Sequence, residues 1–357
     1  MKGGISPFTF LKKIEGLPIA AVLLVLYGVF IITSPTVFSG YRIYMSFLQT
    51  VPPQLILALG LTFVITAGEI DLSFSAVVAF SGFFFAWIFK NFDPSWSAWA
   101  GLVVALAAGA LVGYVNGLLV ARVGVPSIMA TLAAQFFWNG LTILLAGGLQ
   151  LDLKEVQTHI VHTIFVGRIF GVVPAQALWA LGLAIFLWFI LNRHRFGEAV
   201  MFVGDNEDVA RVMGINVEMT KIKLFTMNGV IAAFAGVLLT LEMNVFWPTQ
   251  GAGYLLPVMA AVFVGGTSIA GGSGSIIGSF FGAYIIGSLE AGVVASGITS
   301  YWTRLVEGVV MAASVTLNVV IEEGRVGKLS ARIRRWFVPA RSKTTGEASK
   351  KDDTAFK

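Results

Sequence analysis

Long apolar runs, interrupted by glycine, proline and sparse charge, fill the chain between residues 17 and 321. A hydrocarbon core of about 30 Å takes about 20 apolar residues per helix, and ten stretches come near that length. They run over approximately 17–33, 50–67, 72–89, 96–121, 126–147, 173–192, 222–242, 255–270, 275–296 and 302–321. The pattern predicts an all-α integral membrane protein of about ten transmembrane helices. The first stretch follows Lys12 and Lys13 as a secretory signal would, yet no small-residue cleavage site comes after Thr33, and Ser34-Pro35 follows at once. A retained anchor is expected there.

Composition agrees with this class. Of 357 residues, 57% are hydrophobic and 12% charged, against roughly 25% charged in a soluble domain. Residues 1–321 hold 14 Lys+Arg and 14 Asp+Glu, so the net charge of +5 arises wholly in 322–357, with 10 bases and 5 acids. Two regions follow: a transmembrane domain over 1–321 and a basic tail over 322–357 whose polar end is expected to be disordered. A duplex reader needs a basic face on a folded module, so nucleic acid is excluded as a partner. The absence of cysteine rules out disulfides, thiolate metal sites and cysteine nucleophiles.

With the N-terminus in the cytoplasm, 19 of the 24 bases lie inside: Lys2, Lys12, Lys13, Arg122, those of the 193–223 loop and the tail. The positive-inside rule therefore expects both termini to be cytoplasmic. The 148–172 connection then faces outside and the 193–221 connection inside.

Charges inside the apolar runs are the candidates for chemistry. In Gly68-Glu69-Ile70-Asp71-Leu72-Ser73-Phe74-Ser75 two carboxylates sit two residues apart. Such a pair cannot share a helix face, and an acid facing lipid costs several kcal/mol, so a break in the helix is expected. Asp71 can cap the third stretch by taking the N–H of Ser73 or Phe74, and with Glu69 it is also a candidate for a translocation path. Glu69 either contacts a translocated ion or solute, or pairs with a nearby base. Glu290 is the other acid without an obvious partner, and a place on a translocation path is open to it. Glu307 lies three residues after Arg304, and Glu242 near a membrane edge.

Gly274, Gly278 and Gly282 recur at spacing four beside Ser275 and Ser279, the interval that lets helix backbones approach closely in lipid. The preceding Ala270-Gly271-Gly272 reads as a turn. This glycine-rich segment is no phosphate loop: a G-x-x-x-x-G-K-[ST] pattern occurs nowhere in the chain. His159 and His162 supply too few ligands for zinc, so neither a metal site nor a catalytic set is expected.

The inside loop carries Gly204-Asp205-Asn206-Glu207-Asp208-Val209-Ala210-Arg211-Val212-Met213-Gly214-Ile215-Asn216-Val217. Asp205 or Asn206 can cap a short helix, Glu207 and Asp208 suit its first turn, and Gly214 can close it. Val209, Val212 and Met213 share one face, which points to a partner surface or, failing that, to lipid headgroups.

Four segments, 68–75, 116–132, 204–217 and 265–283, come in the order and topology of a known family. They resemble the permease subunits of bacterial ABC importers of the ribose, xylose and galactose type, related to the branched-chain amino acid permeases. The family usually has Gly-Gly before Ile-Asp-Leu-Ser, and Glu69 replaces the second glycine here. The resemblance implies an inner-membrane permease domain that works beside a second permease subunit, a copy or a paralogue. It implies two cytoplasmic ATPase subunits that hold ATP and Mg, and an external solute-binding protein. It also makes 205–214, with Asp205, Asn206, Glu207, Val209, Ala210, Val212, Met213 and Gly214, the helix that couples to the ATPase. No cofactor is expected on the chain itself. A path with few fixed charges suits a sugar or related polar solute, with Trp247, Gln250 and the 148–172 loop as candidate docking surface for the binding protein. The alternatives are a permease for an amino acid or vitamin, and an ion-coupled secondary transporter.

Overall fold

Proline and glycine decide where the apolar stretches become helices. The computed structural model describes residues 16–297, 299–303, 305–306, 308–312 and 316. Its helices are α1 Leu17–Thr33, α2 Pro35–Phe38, α3 Tyr41–Thr50, α4 Pro52–Thr66, α5 Phe74–Asn91, α6 Pro94–Leu118 and α7 Ser127–Leu145. They continue with α8 Ile160–Val166, α9 Ala175–Arg193, α10 Arg195–Asp205, α11 Glu207–Val212, α12 Val217–Met243, α13 Leu255–Val264 and α14 Ile276–Ala295. Among the described residues sheet is confined to two-residue ladders that pair 151–152 with 245–246 and 168–169 with 173–174.

The 27-residue α12 is the axis of the bundle, and α4, α5 and α6 pack along it. Glycine makes the α6–α12 approach possible. A Cβ at Gly113 would stand 2.1 Å from the carbonyl oxygen of Phe225, and Gly109 and Gly229 face each other as closely. Two backbones without intervening side chains gain dispersion contacts that lipid cannot match. All fifteen residues of α4 are buried, whereas α7 buries five of its nineteen. The first is a core helix and the second a peripheral one.

Six helices, α5, α6 with its π-turn extension to Val123, α7, α9, α12 and α14, are long and apolar enough to cross a membrane. The α3–α4 pair bends by 50° and makes a seventh when taken as one span. Pro52 and Pro53 explain the bend, because neither has an N–H to continue the ladder of α3. The expected ten spans are therefore not reached among the described residues. The 255–270 stretch yields only the ten residues of α13, cut short at Gly265-Gly266, where Gly266 adopts φ 85°. The 302–321 stretch, the pair Arg304 and Glu307, and the basic tail lie largely or wholly outside the described residues.

The 193–221 loop differs most from its expected form. It folds as two helices, α10 and α11, and α12 starts at Val217, five residues before the apolar run. Asn216 caps that start, its side chain accepting the N–H of Met219 at 2.9 Å. Lys221 is thereby carried onto the central helix.

Candidate functional site: a broken helix tied to a surface elbow

Between α4 and α5 the chain runs without helix from Ala67 to Ser73, where the sequence places Glu69 and Asp71. Gly68 turns the backbone out of α4 with φ 75°. Neighbouring helices satisfy the polar groups that the break frees. Ile70 donates its N–H to Ser127 Oγ at 3.1 Å, and Thr131 Oγ1 donates to the Ile70 carbonyl at 3.2 Å. Asp71, 2% exposed, accepts both the N–H of Ser73 at 2.8 Å and its hydroxyl at 2.6 Å on Oδ1. Its Oδ2 accepts from Asn228 Nδ2 of α12 at 2.8 Å, while Asn116 of α6 donates to Ser73 Oγ at 2.7 Å. Ser73 holds the cap position of α5, so Asp71 sits two residues outside it and binds the cap residue instead of capping the helix as expected.

Glu69 points the other way along the break and meets a base. Lys221 Nζ lies 2.6 Å from Glu69 Oε1 and also pairs with Glu207 of α11. The Glu69 and Lys221 side chains are each 10% exposed. Glu207 is further paired with Arg211 at 3.3 Å, and Arg211 with Asp208 at 3.1 Å. Glu207 thus does more than complement a helix dipole: it neutralises a buried ammonium. Sequence reasoning missed Lys221 and Asn228. The available signal was periodicity, since Val217, Lys221, Leu224, Phe225 and Asn228 fall on one helical stripe and all five are buried.

A second tie joins the same parts. Gly204 at the end of α10 packs so closely on the break that a Cβ there would lie 1.9 Å from the Thr66 carbonyl oxygen. Gly271, at φ 86°, has room for a Cβ only 2.7 Å from the Gly204 carbonyl oxygen, and the N–H of Gly272 donates to Thr66 O at 2.8 Å. The elbow between α10 and α11, the break after α4 and the 265–275 turn therefore meet backbone to backbone.

The elbow itself is built locally. Asn206 caps α11 by accepting the N–H groups of Asp208 and Val209 at 3.0 and 3.1 Å. Asp205 closes α10, and Gly214 turns the chain away with φ 82°. Ala210 is wholly buried against Val203 and Val217, so α11 does have something of its own chain to pack on. Its other face is open: Val209 is 50% exposed, Val212 89% and Met213 57%.

The remaining candidates lie elsewhere. Glu290 is on an exposed part of α14, beside a cavity lined by Leu256, Pro257 and Thr303, apart from the break that holds Glu69 and Asp71. Gly278 and Gly282 pack on the α13 end, where added Cβ atoms would stand 1.9 Å from Gly265 O and 2.1 Å from Ala261 O. Gly274 is outside α14, because Ser275 caps that helix through the N–H of Gly278, and it packs instead on Thr66. Gln250 is not a surface group: it is 4% exposed and donates to Val78 O at 3.1 Å and Thr240 Oγ1 at 3.0 Å.

The family described as branched-chain amino acid transport system / permease component matches residues 43–315, a span that includes the break, the elbow and the 265–275 turn. The chain belongs to this family. It is 33% identical over 299 residues to the ribose import permease protein RbsC of Escherichia coli strain K12, covering 83% of this chain and 91% of that protein. It is 32% identical over 275 residues to the protein of the same name in Bacillus subtilis strain 168, with 77% and 84% covered. Similarity extends to the autoinducer 2 import system permease protein LsrC of Yersinia pestis strain Pestoides F, at 31% identity over 278 residues, 76% of this chain and 74% of that one. No solved structure matches the chain. It is a multi-pass permease component of a membrane transport system, not an enzyme.

Proposed function

We propose that this chain is the membrane-spanning subunit of an ATP-driven importer in a bacterial inner membrane, and that it carries a sugar or a related polar solute inward. The observation that carries this reading is the α10–α11 elbow, a short capped helix that presents Val209, Val212 and Met213 outward and is tied inward to the broken helix. Exposed apolar side chains on a charged elbow fit a docking cleft on another protein. The partner is a pair of ATPase subunits that bind ATP and Mg, and closure of that pair moves the elbows and tilts the helix bundles. A second permease subunit, copy or paralogue, completes the path, and an external binding protein delivers the solute.

In this arrangement both termini are cytoplasmic, the elbow and the basic tail over 322–357 face the cytoplasm, and ten segments enter the membrane, α1 and α13 being the short ones. Glu69 is occupied by Lys221, and Asp71 by Ser73 and Asn228. Among the described residues Glu290 is, of the three acids, the one without an ion pair or hydrogen-bonded partner, and we assign it to meeting solute hydroxyls on the path. The sugar assignment draws on the ribose permeases among the relatives.

The test is reconstitution in proteoliposomes with the partner ATPase and binding protein, followed by uptake of labelled ribose. Uptake that requires ATP and survives an ionophore supports the importer; uptake driven by an ion gradient without ATP overturns it. In the same system Val212→Asp places an unpaired charge at the docking face, a change worth several kcal/mol at an interface. It is expected to abolish co-purification of the ATPase at unchanged membrane abundance. Full retention of the ATPase by this variant removes α11 from the interface.

A further inference from the structure

The break is strapped to α12 at two points, and one of them is shared with the elbow. Glu69 is held by Lys221 and Asp71 by Asn228. Those two α12 residues are seven apart, about two turns or 10 Å along one face. The first anchor also holds Glu207, so Lys221 divides its donors between the break and α11. The other charges around this point are Arg211, paired to Glu207 and Asp208, and Glu218, which lines the same cleft.

Beyond the backbone contact of Gly204 with the break, the attachment of α11 by other means is slight. The helix has six residues and buries one of them, Ala210. Its strongest directed tie to the bundle is therefore the Glu207–Lys221 pair, whose ammonium end is buried and whose carboxylate end is partly exposed. Any displacement of α11 changes how Lys221 is shared between the two carboxylates. The consequence reaches Glu69 and, two residues on, Asp71.

We propose that Lys221 is the positioning residue of the coupling step: the bridge Glu69–Lys221–Glu207 transmits displacement of α11 to the break that carries Asp71. This rests on the reading of α11 as the docking helix of an ATP-driven importer. Lys221 acts through the two carboxylates.

The experiment uses the complex with its partner ATPase in proteoliposomes. The chain has no cysteine, so Leu72→Cys in the break is a single reporter, read as its rate of labelling by N-ethylmaleimide with and without vanadate-trapped nucleotide. Trapping is expected to change that rate about fivefold or more in the otherwise native chain. Glu69→Gln is expected to keep ATPase co-purification and hydrolysis while the trapping-dependent change disappears, Glu207→Gln to lose that change as well, and Lys221→Arg to retain it. Lys221→Met is expected to lose the change, and the two glutamine variants carry the test if that variant does not fold. A full-sized change in both glutamine variants overturns the proposal, as does the absence of any change in the native background. Loss of ATPase association together with the change in Glu69→Gln assigns the bridge to folding and overturns it too. If the unsubstituted chain binds no ATPase, it is the importer reading that fails, and the proposal with it.

Discussion

The two ends of α12 are secured by different physics. Near its start, Lys221 is held by the carboxylates of Glu69 and Glu207 from two other elements. Near its finish, Glu242 accepts amide hydrogens instead, from Gln49 of α3 and from Gln176 of α9 at 2.6 Å, while Arg168 reaches Gln49 rather than the acid. Attraction between charges falls slowly with distance, whereas a hydrogen bond fades within a fraction of an ångström and with modest loss of angle. The ionic end can stretch and remain bound; the amide end is either made or broken. The comparison locates compliance at the end that carries the elbow and rigidity at the other.

The contrast requires α12 to be one stiff rod, and the largest test attacks its middle. Gly113→Leu would drive a side chain into the Phe225 carbonyl, which already leaves only 2.1 Å for a Cβ. Overpacking of this kind costs about 3 kcal/mol or more, and the expected outcome is loss of monodisperse protein in detergent chromatography. A native yield would show that α6 and α12 can separate, and the two ends would no longer be comparable.

Next in size is Lys221→Met. Removing one member of a buried ionic set strands the others, at about 3–5 kcal/mol, here reduced because Glu207 is partly exposed and keeps Arg211. A clear fall in thermal unfolding temperature is expected, with most of it recovered by adding Glu69→Gln. Failure of the second substitution to restore stability would mean that Lys221 acts by packing rather than by charge.

The smallest effect belongs to the amide end. Glu242→Gln keeps one of the two accepting oxygens and turns an NH2 toward the other amide donor, so a loss of about 1–2 kcal/mol is expected. The same change has a sharper readout in a neighbour. Burial holds the His162 imidazole below its usual pKa, while the Glu242 charge pulls it upward. Removing that charge should lower it further, measured by NMR titration of labelled histidine. A rise instead would place the carboxylate's influence elsewhere and weaken the contrast between the ends.

How much of this was legible beforehand differs by residue. The break at 67–73 could be read because two acids on alternate positions cannot both avoid lipid on a helix. The Asn206 cap and the outward Val212 face of α11 could also be read, since capping and amphipathicity are local. Lys221 was missed because the apolar run begins after it, although it shares a stripe with Val217, Leu224, Phe225 and Asn228; the packing of α12 on α4 and α10 shows that the helix starts earlier. The α6 glycines Gly109, Gly113 and Gly117 repeat at the same spacing as Gly274, Gly278 and Gly282, yet Gly274 lies outside its helix.

What the amino-acid sequence determined by itself was the solvent of the protein, its helical class, and the short-range features set within a few residues: caps, turns and the broken segment. Only the tertiary structure decided which partners the buried charges take and which glycine stripe becomes a seam. The reason is physical: helix periodicity and capping are fixed by neighbours along the chain. The Glu69–Lys221 and Asp71–Asn228 pairs join residues more than 150 positions apart, brought together only when α12 packs beside the break.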